Sequence, residues 1–326
     1  MKTQKIEISS KTIVFTVVFI LFLFFLWQIK ELIFSLILAF IIAGGLKQPV
    51  DFLKNKIKLP HMILSIMVYI LFLLSFFYLF YIIIPPLFIE LAHFLKKFPQ
   101  ILTTIFPQSN QYFDLNFLSQ NIPQLTTSAV DLIKGLFSNI VFVFSVFSFS
   151  FYFLVEEEFF SKSLKKFFND NETEKINTII KKIQNKISFW FWGELFLMFI
   201  VGVLTYIGLF ILQIPFALPL AILAGLLEVV PNLGPTIAAI PSIIVGLSSS
   251  LVSGIGALVL AILVQQLENN LLVPLVMKKF VGINPVVSLI ALIIGGKIAG
   301  VLGVLLAIPI VLIFEVILLE ILKNKK

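Results

Sequence analysis

The chain contains no cysteine. Disulfides, thiolate metal sites and cysteine nucleophiles are excluded at once. Histidine is almost missing as well: His61 and His93 are the two present, and both fall near the ends of apolar runs or outside them. A Ser-His-Asp arrangement has no credible histidine to use, and a metal centre needs several converging ligands that are not here. The GxxxxGKS phosphate loop is absent, so nothing signals a built-in ATP motor. Charge is thin, at 13% Asp, Glu, Lys and Arg against about 25% in a soluble domain. No segment alternates apolar and polar residues as a membrane β-barrel strand does. No enzyme activity, cofactor or metal is expected.

What the chain does have is apolar length. Of its 326 residues 60% are hydrophobic, and 37 are phenylalanine, where soluble domains hold about 45–50% apolar residues. The excess lies in continuous runs, and roughly 20 apolar residues as helix cross a hydrocarbon core about 30 Å thick. Backbone amides in lipid must be satisfied within the segment, so the runs predict helices. The expected fold is an all-α integral membrane protein of about seven to eight membrane segments, some of them broken or re-entrant, with a small extramembrane helical element. The net charge of +7 sits in loops between spans, which points to membrane topology rather than to nucleic acid.

Along the chain, residues 1–86 read as N-terminal membrane helices, with a hairpin of Thr12–Trp27 and Leu32–Leu46 and a third span, Met62–Ile84, closed by Pro85-Pro86. The first run carries Trp27 and lacks a small-residue cleavage site, so a cleaved signal peptide is not expected. Residues 87–135 are mixed and read as an extracytoplasmic helical element, 136–155 as a phenylalanine-rich span, and 156–186 as a charged cytoplasmic segment. Residues 187–326 read as a transport core. The positive-inside rule places both termini and the lysine-rich loops in the cytoplasm. That topology requires Ala217–Leu247 to enter the membrane and come back, either as a re-entrant hairpin or as two tilted spans.

Within that core, LLEVVPNLGPTIAAIPS puts a charge and a broken backbone into apolar sequence. Glu228 at bilayer depth is expensive and usually faces a pathway. Pro231, Asn232, Gly234 and Pro235 guarantee non-helical backbone, and such breaks are what transporters use to bind substrates and ions. The bland alternative is a solvated surface loop. In QQLENN, Gln265, Glu268 and Asn269 share a helix face by their i, i+3, i+4 spacing, with Gln266 beside them. They read either as cavity-lining groups or as an interhelical clamp. Glu194, in WFWGELFLMF, reads as a further intramembrane carboxylate or as an interfacial residue under Trp190 and Trp192. Gly296, Gly300 and Gly303 form a small-residue stripe for close helix packing. Lys297 beside it is either the exposed turn of a hairpin or the partner of a buried glutamate. The three glutamates at Glu156-Glu157-Glu158 read as a solvated face.

GLLEVVPNLGPTIAAIPSIIVGL, QQLENNLLVPLVMKKFVGINPVVSLIALIIGG and KIAGVLGVLLAIPIV together resemble the autoinducer-2 exporter family of bacterial permeases, the PerM-like family. The similarity covers nearly the whole chain and is strongest from Ile187 to Val316. The resemblance implies a multi-spanning permease of the bacterial cytoplasmic membrane and a homo-oligomer, with a pentamer as the candidate size. Its partners would be lipid and either a small polar solute or a monovalent cation and protons. The motif positions it carries over are Glu228, Pro231, Gly234, Pro235, Pro241, Gln266, Glu268, Asn269, Pro274, Pro285, Gly295, Gly303 and Pro309. Where many members have Gly-Gln, this chain has Gly193-Glu194, an added carboxylate that bears on ion coupling.

Three functions follow. One is export of a small polar metabolite such as autoinducer-2. The second is sodium or lithium/proton antiport on Glu228, Glu268 and Glu194. The third is a non-transporting scaffold. Charges and broken backbone in lipid favour transport over scaffolding. The resemblance tilts toward export and the carboxylates toward ions.

Overall fold

The computed structural model describes residues 10–105, 140–156, 166, 168–231, 233–276 and 284–323. All regular structure among them is helical. The elements are α1 (Ser10–Gln28), α2 (Lys30–Lys56), α3 (His61–Ile105), α4 (Ile140–Val155), α5 (Asp170–Ile211), α6 (Ala217–Leu227), α7 (Leu233–Ser249), α8 (Leu251–Leu267) and α9 (Pro285–Lys323). A π-helical turn, Glu268–Leu272, and a last α-turn, Val273–Val276, prolong α8. Among the described residues six helices are long and apolar enough to cross a membrane, and α4, α6 and α7 are shorter apolar helices. This is the all-α membrane architecture that the composition predicts.

No side chain of α1 is buried, and its phenylalanines, such as Phe15 at 70% exposure, point outward. In water such a helix would be untenable; in lipid its apolar surface meets a solvent of its own kind. The interior is built around α2 and α5. Ala43, Gly44 and Gly45 are buried on α2, and a Cβ on Gly45 would run into the Phe191 ring of α5. That close approach lets the Trp192 indole N–H donate to the Gly45 carbonyl at 2.8 Å. On the other side of α2, Tyr69 of α3 donates to the Phe147 carbonyl of α4 and pairs with Ser150 Oγ at 2.8 Å.

Two sequence boundaries differ in the structure. The apolar span of α3 is His61–Ile82 among the described residues, but the helix itself does not stop at Pro85-Pro86: α3 runs through both prolines to Ile105. Each proline removes one amide donor and presses on the carbonyl four residues before it, but helices in an apolar setting continue where the freed groups are re-satisfied. The line between 1–86 and 87–135 thus falls inside a helix, and residues 106–135 lie outside the described residues. Likewise no break separates the charged segment from the fifth span. The 42 residues of α5 rise about 63 Å, far more than a bilayer core. Its lysine-rich end meets the end of α9 through Lys182–Glu320 at 2.6 Å and Lys186–Glu315 at 2.8 Å.

Past α5 the chain folds into two hairpins. The first is α6–α7. A Cβ on Gly225 would stand 2.7 Å from the Met198 carbonyl, and one on Gly202 3.5 Å from that of Ala221, so α6 runs antiparallel to α5 away from its Ile211 end. After the break, α7 returns, and Gly246 packs on Ser253 and Gly254 at the start of α8. The second hairpin is hidden inside α9. Ala299 (φ −139°, ψ 18°) and Gly300 (φ 57°, ψ −134°) are not helical, and a Cβ on Gly295 would collide with the Gly303 carbonyl. Residues eight apart in one straight helix lie about 12 Å apart, so 285–298 and 301–323 double back on each other.

Candidate functional site

The break after α6 is made by its sequence. Pro231 has no amide to continue the helix, and the turn closes instead through Val230 N–H to the Leu227 carbonyl at 2.9 Å and Gly234 N–H to the Val230 carbonyl at 2.8 Å. A Cβ at Gly234 would overlap the Leu227 carbonyl, so only glycine permits so tight a return. Glu228 is the residue at which α6 stops, and it is fully buried. Pro231 and Pro235 are half-buried beside it. Asn232 lies outside the described residues, as do Lys278 and Lys279.

Two other helices bring carboxyls to the same place. Glu268 of the π-turn is 0% exposed and Glu194 of α5 is 4% exposed. Each lies about 26 Å along its helix from the end where α5 leads into the first hairpin and α8 leaves it. Glu228 has Glu268 and Glu194 as its charged neighbours. Partners are few. Gln265 Nε2 donates to Glu268 Oε2 at 3.3 Å. The other oxygen of Glu268, both of Glu228 and Oε1 of Glu194 have none. Among the described residues no lysine pairs with the three, and no three His, Asp or Glu side chains are placed to hold a metal ion.

Glu194 is buried within the protein. The shared face of Gln265, Glu268 and Asn269 is corrected: Gln265 is half-buried and Glu268 buried, while Asn269 is exposed. Gln266, also exposed, accepts from Asn270 Nδ2 at 2.7 Å. A π-turn follows, in which the Val273 amide bonds to the Glu268 carbonyl five residues back. Pro274 lies just beyond; in a plain α-helix its ring would press on the Asn270 carbonyl, and the wider turn relieves that clash.

The glycine stripe is also reassigned. Gly303 packs, but its partner is Gly295, Gly296 faces Val304 Cγ2 at 3.3 Å, and Gly300 has open space around it. With φ at 57°, Gly300 serves the turn rather than packing. Lys297 is exposed beside that turn. Sequence reasoning did not find the α2–α5 seam. Its signal was present in the adjacent Gly44-Gly45 and the aromatic run Trp190–Trp192, whose indole needs an acceptor when covered.

Comparison with known proteins places this architecture. A family model described as AI-2E family transporter matches residues 14–323. The chain is 31% identical over 206 residues to "Putative transport protein YueF" of Bacillus subtilis, covering 63% of this chain and 56% of that protein. It is 23% identical over 313 residues to YrrI of the same organism, covering 91% and 88%. To sll0060 of Synechocystis it is 26% identical, covering 84% of each. The match thus spans a little over half the length of YueF and most of the other two.

Proposed function

The chain belongs to the AI-2E transporter family, and from that premise we propose that it is a proton-coupled secondary transporter exporting a small polar metabolite, such as autoinducer-2, across the bacterial cytoplasmic membrane. The observation that carries this reading is the cluster Glu194, Glu228 and Glu268, buried on three helices with four of its six carboxyl oxygens buried and unpartnered. A buried charge left unpaired costs about 3–5 kcal/mol. A protein keeps such a cluster when something mobile neutralises it. The proton suits this cluster, since protonating one carboxyl removes the repulsion between neighbouring like charges. Glu228 rides on the broken hairpin, whereas Glu194 and Glu268 sit on continuous helices. Proton binding would let the hairpin close on α5 and α8; proton loss would drive it away. Gln265, half-buried beside Glu268, would bind hydroxyl or carbonyl groups of the solute.

The re-entrant placement of α6–α7 belongs to the same reading. The 11 residues of α6 rise only about 16 Å, too little to cross about 30 Å of hydrocarbon. Cytoplasmic termini also belong to it: the Lys182–Glu320 and Lys186–Glu315 pairs put the end of α9 beside the lysine-rich end of α5. A homo-oligomer in lipid completes it, with α1 as an outward apolar surface. A second reading, sodium or lithium/proton antiport, is favoured by Glu194, the carboxyl added beside the other two.

The deciding experiment is flux in liposomes with a trapped pH-sensitive dye, comparing wild type with Glu228→Gln. Solute-dependent proton movement that vanishes in the variant supports the reading. Proton movement driven by sodium or lithium alone would replace it with antiport. Solute flux without proton movement, unchanged in Glu228→Gln, would refute the coupling role.

A further inference from the structure

Serines in these helices bond back to carbonyls three or four residues earlier: Ser35 to Leu32, Ser150 to Phe147, Ser242 to Ala238 and Ser248 to Val245. Ser188 does not. Its hydroxyl is buried at 6% exposure and has no partner. It lines a cavity of about 160 Å³ between α2 and α5, toward the lysine-rich end of α5. The other polar walls are Lys47, Gln48 and Asp51 of α2 with Gln184 and Asn185 of α5. Gly44 also lines it, and lets the α5 backbone come close, with Gln184 O at 3.7 Å from a built Cβ.

We infer that this cavity is a binding site for a small, neutral, polyhydroxylated solute, serving as the loading site for the exporter proposed above and resting on that reading. The wall chemistry selects the class. One lysine and one aspartate balance in charge, which disfavours an anion or a cation as ligand. Lys47 Nζ donates to Gln184 Oε1 at 3.1 Å, so Gln184 offers its two amide N–H donors. Asp51 offers acceptors, and Ser188, Gln48 and Asn185 offer both. A buried hydroxyl without a partner costs about 1–3 kcal/mol, and a solute hydroxyl or carbonyl would satisfy it. The volume is close to the roughly 150 Å³ that accommodates a six-membered ring, which sets the size at five or six carbons. Ser188 lies about 9 Å along α5 from Glu194, less than two turns of the same helix.

The absence of cysteine makes the test clean. In purified full-length Ser188→Cys in detergent, iodoacetamide should alkylate the single thiol. D-ribose, xylitol, glycerol and autoinducer-2 would be tried as protectants, with sodium succinate as the charged control. Slowing of alkylation at least fivefold by one or more neutral solutes, none by succinate, and loss of that protection in Gln184→Leu would support the site. No alkylation, no protection by any solute, or equal protection by succinate would overturn it. If Ser188→Cys fails to fold, the readout becomes the solute-induced rise in melting temperature of the wild type; the site requires that rise to be lost in Ser188→Ala. Protection without flux would keep the site and sink the transport reading, whereas coupled flux without protection would sink the site.

Discussion

The hairpin inside α9 predicts a graded response to adding one methyl group at each of its four glycines. A real Cβ keeps at least 3.0 Å from other heavy atoms, and alanine at Gly303 or Gly295 would break that limit against the opposite backbone carbonyl. Backbone cannot swing aside as a side chain can. The two arms must part by about 1 Å, and a gap of that size forfeits a quarter to a half of each contact's attraction. Overpacking of this kind costs about 1–3 kcal/mol, offset by roughly 0.5–1 kcal/mol of helix propensity gained over glycine. Gly303→Ala and Gly295→Ala should each lose about 2 kcal/mol, the upper end of the overpacking range less the propensity gain. Gly300→Ala meets no neighbour within 4 Å, but its φ of +57° is strained for a residue with a Cβ, at about 1–2 kcal/mol. Gly296→Ala meets only Val304 Cγ2 at 3.3 Å and should be neutral or slightly stabilised, within about 0.5 kcal/mol. The assay is heat unfolding of the purified protein in detergent, followed by tryptophan fluorescence. At about 2 °C per kcal/mol the falls should be roughly 4 °C, 2–4 °C and under 1 °C in that order. A Gly303→Ala protein melting with wild type, or Gly296→Ala falling furthest, would refute the doubled-back packing.

Three further outcomes follow from the seams. Pro274→Ala removes the clash that the π-turn relieves, so the melting temperature should hold or rise; a fall of several degrees would count against Pro274 as the cause of the π-turn. Trp192→Phe deletes the indole bond to the Gly45 carbonyl and should cost about 1 kcal/mol in the same melting assay; no change would mean that the α2–α5 seam does not depend on it. Lys182→Ala and Lys186→Ala break ion pairs whose side chains keep solvent contact, and each should cost under about 1 kcal/mol, with the loss shrinking as salt is raised.

The long apolar runs and the break at Glu228–Pro235 were legible because composition and proline chemistry are local. So was the burial pressure on Glu228 and Glu268, since a carboxylate among leucines has few uses. What the sequence could not show was direction. Spacing placed Asn269 on the face of Glu268, but adjacent residues of a helix stand about 100° apart, and the covered sector takes in Glu268 and not Asn269. Gly300 looked like one more member of a packing stripe because a chain reversal inside an apolar run has the same composition as the helix on either side. Pro85-Pro86 looked like a stop because in water it usually is one. The Ser188 cavity left no trace in any single segment: it exists only where α2 and α5 meet.

The two hairpins enter from opposite ends of the bundle, and this bears on why the carboxyls lie where they do. The α6–α7 hairpin starts at the Ile211 end of α5 and reaches the level of Met198, the neighbour of Gly225. The second arm of α9 runs from Glu320, paired with Lys182, toward Leu306, which shares a core with Leu197. Its turn at Ala299-Gly300 therefore lies a little beyond that level, approached from the other side. Two short breaks inserted from opposite ends and overlapping near the middle are the arrangement by which inverted repeats build a midplane site. No internal sequence identity marks the two as copies, so the relation is one of geometry. Glu228 sits at the tip of one hairpin, facing the continuous helices α5 and α8. A carboxyl at a hairpin tip can change its distance to fixed carboxyls with little rearrangement of the bundle, and like charges supply the force that makes the distance depend on protonation. A glutamate in mid-helix would be locked in place, and a loop glutamate at the surface would be screened by water.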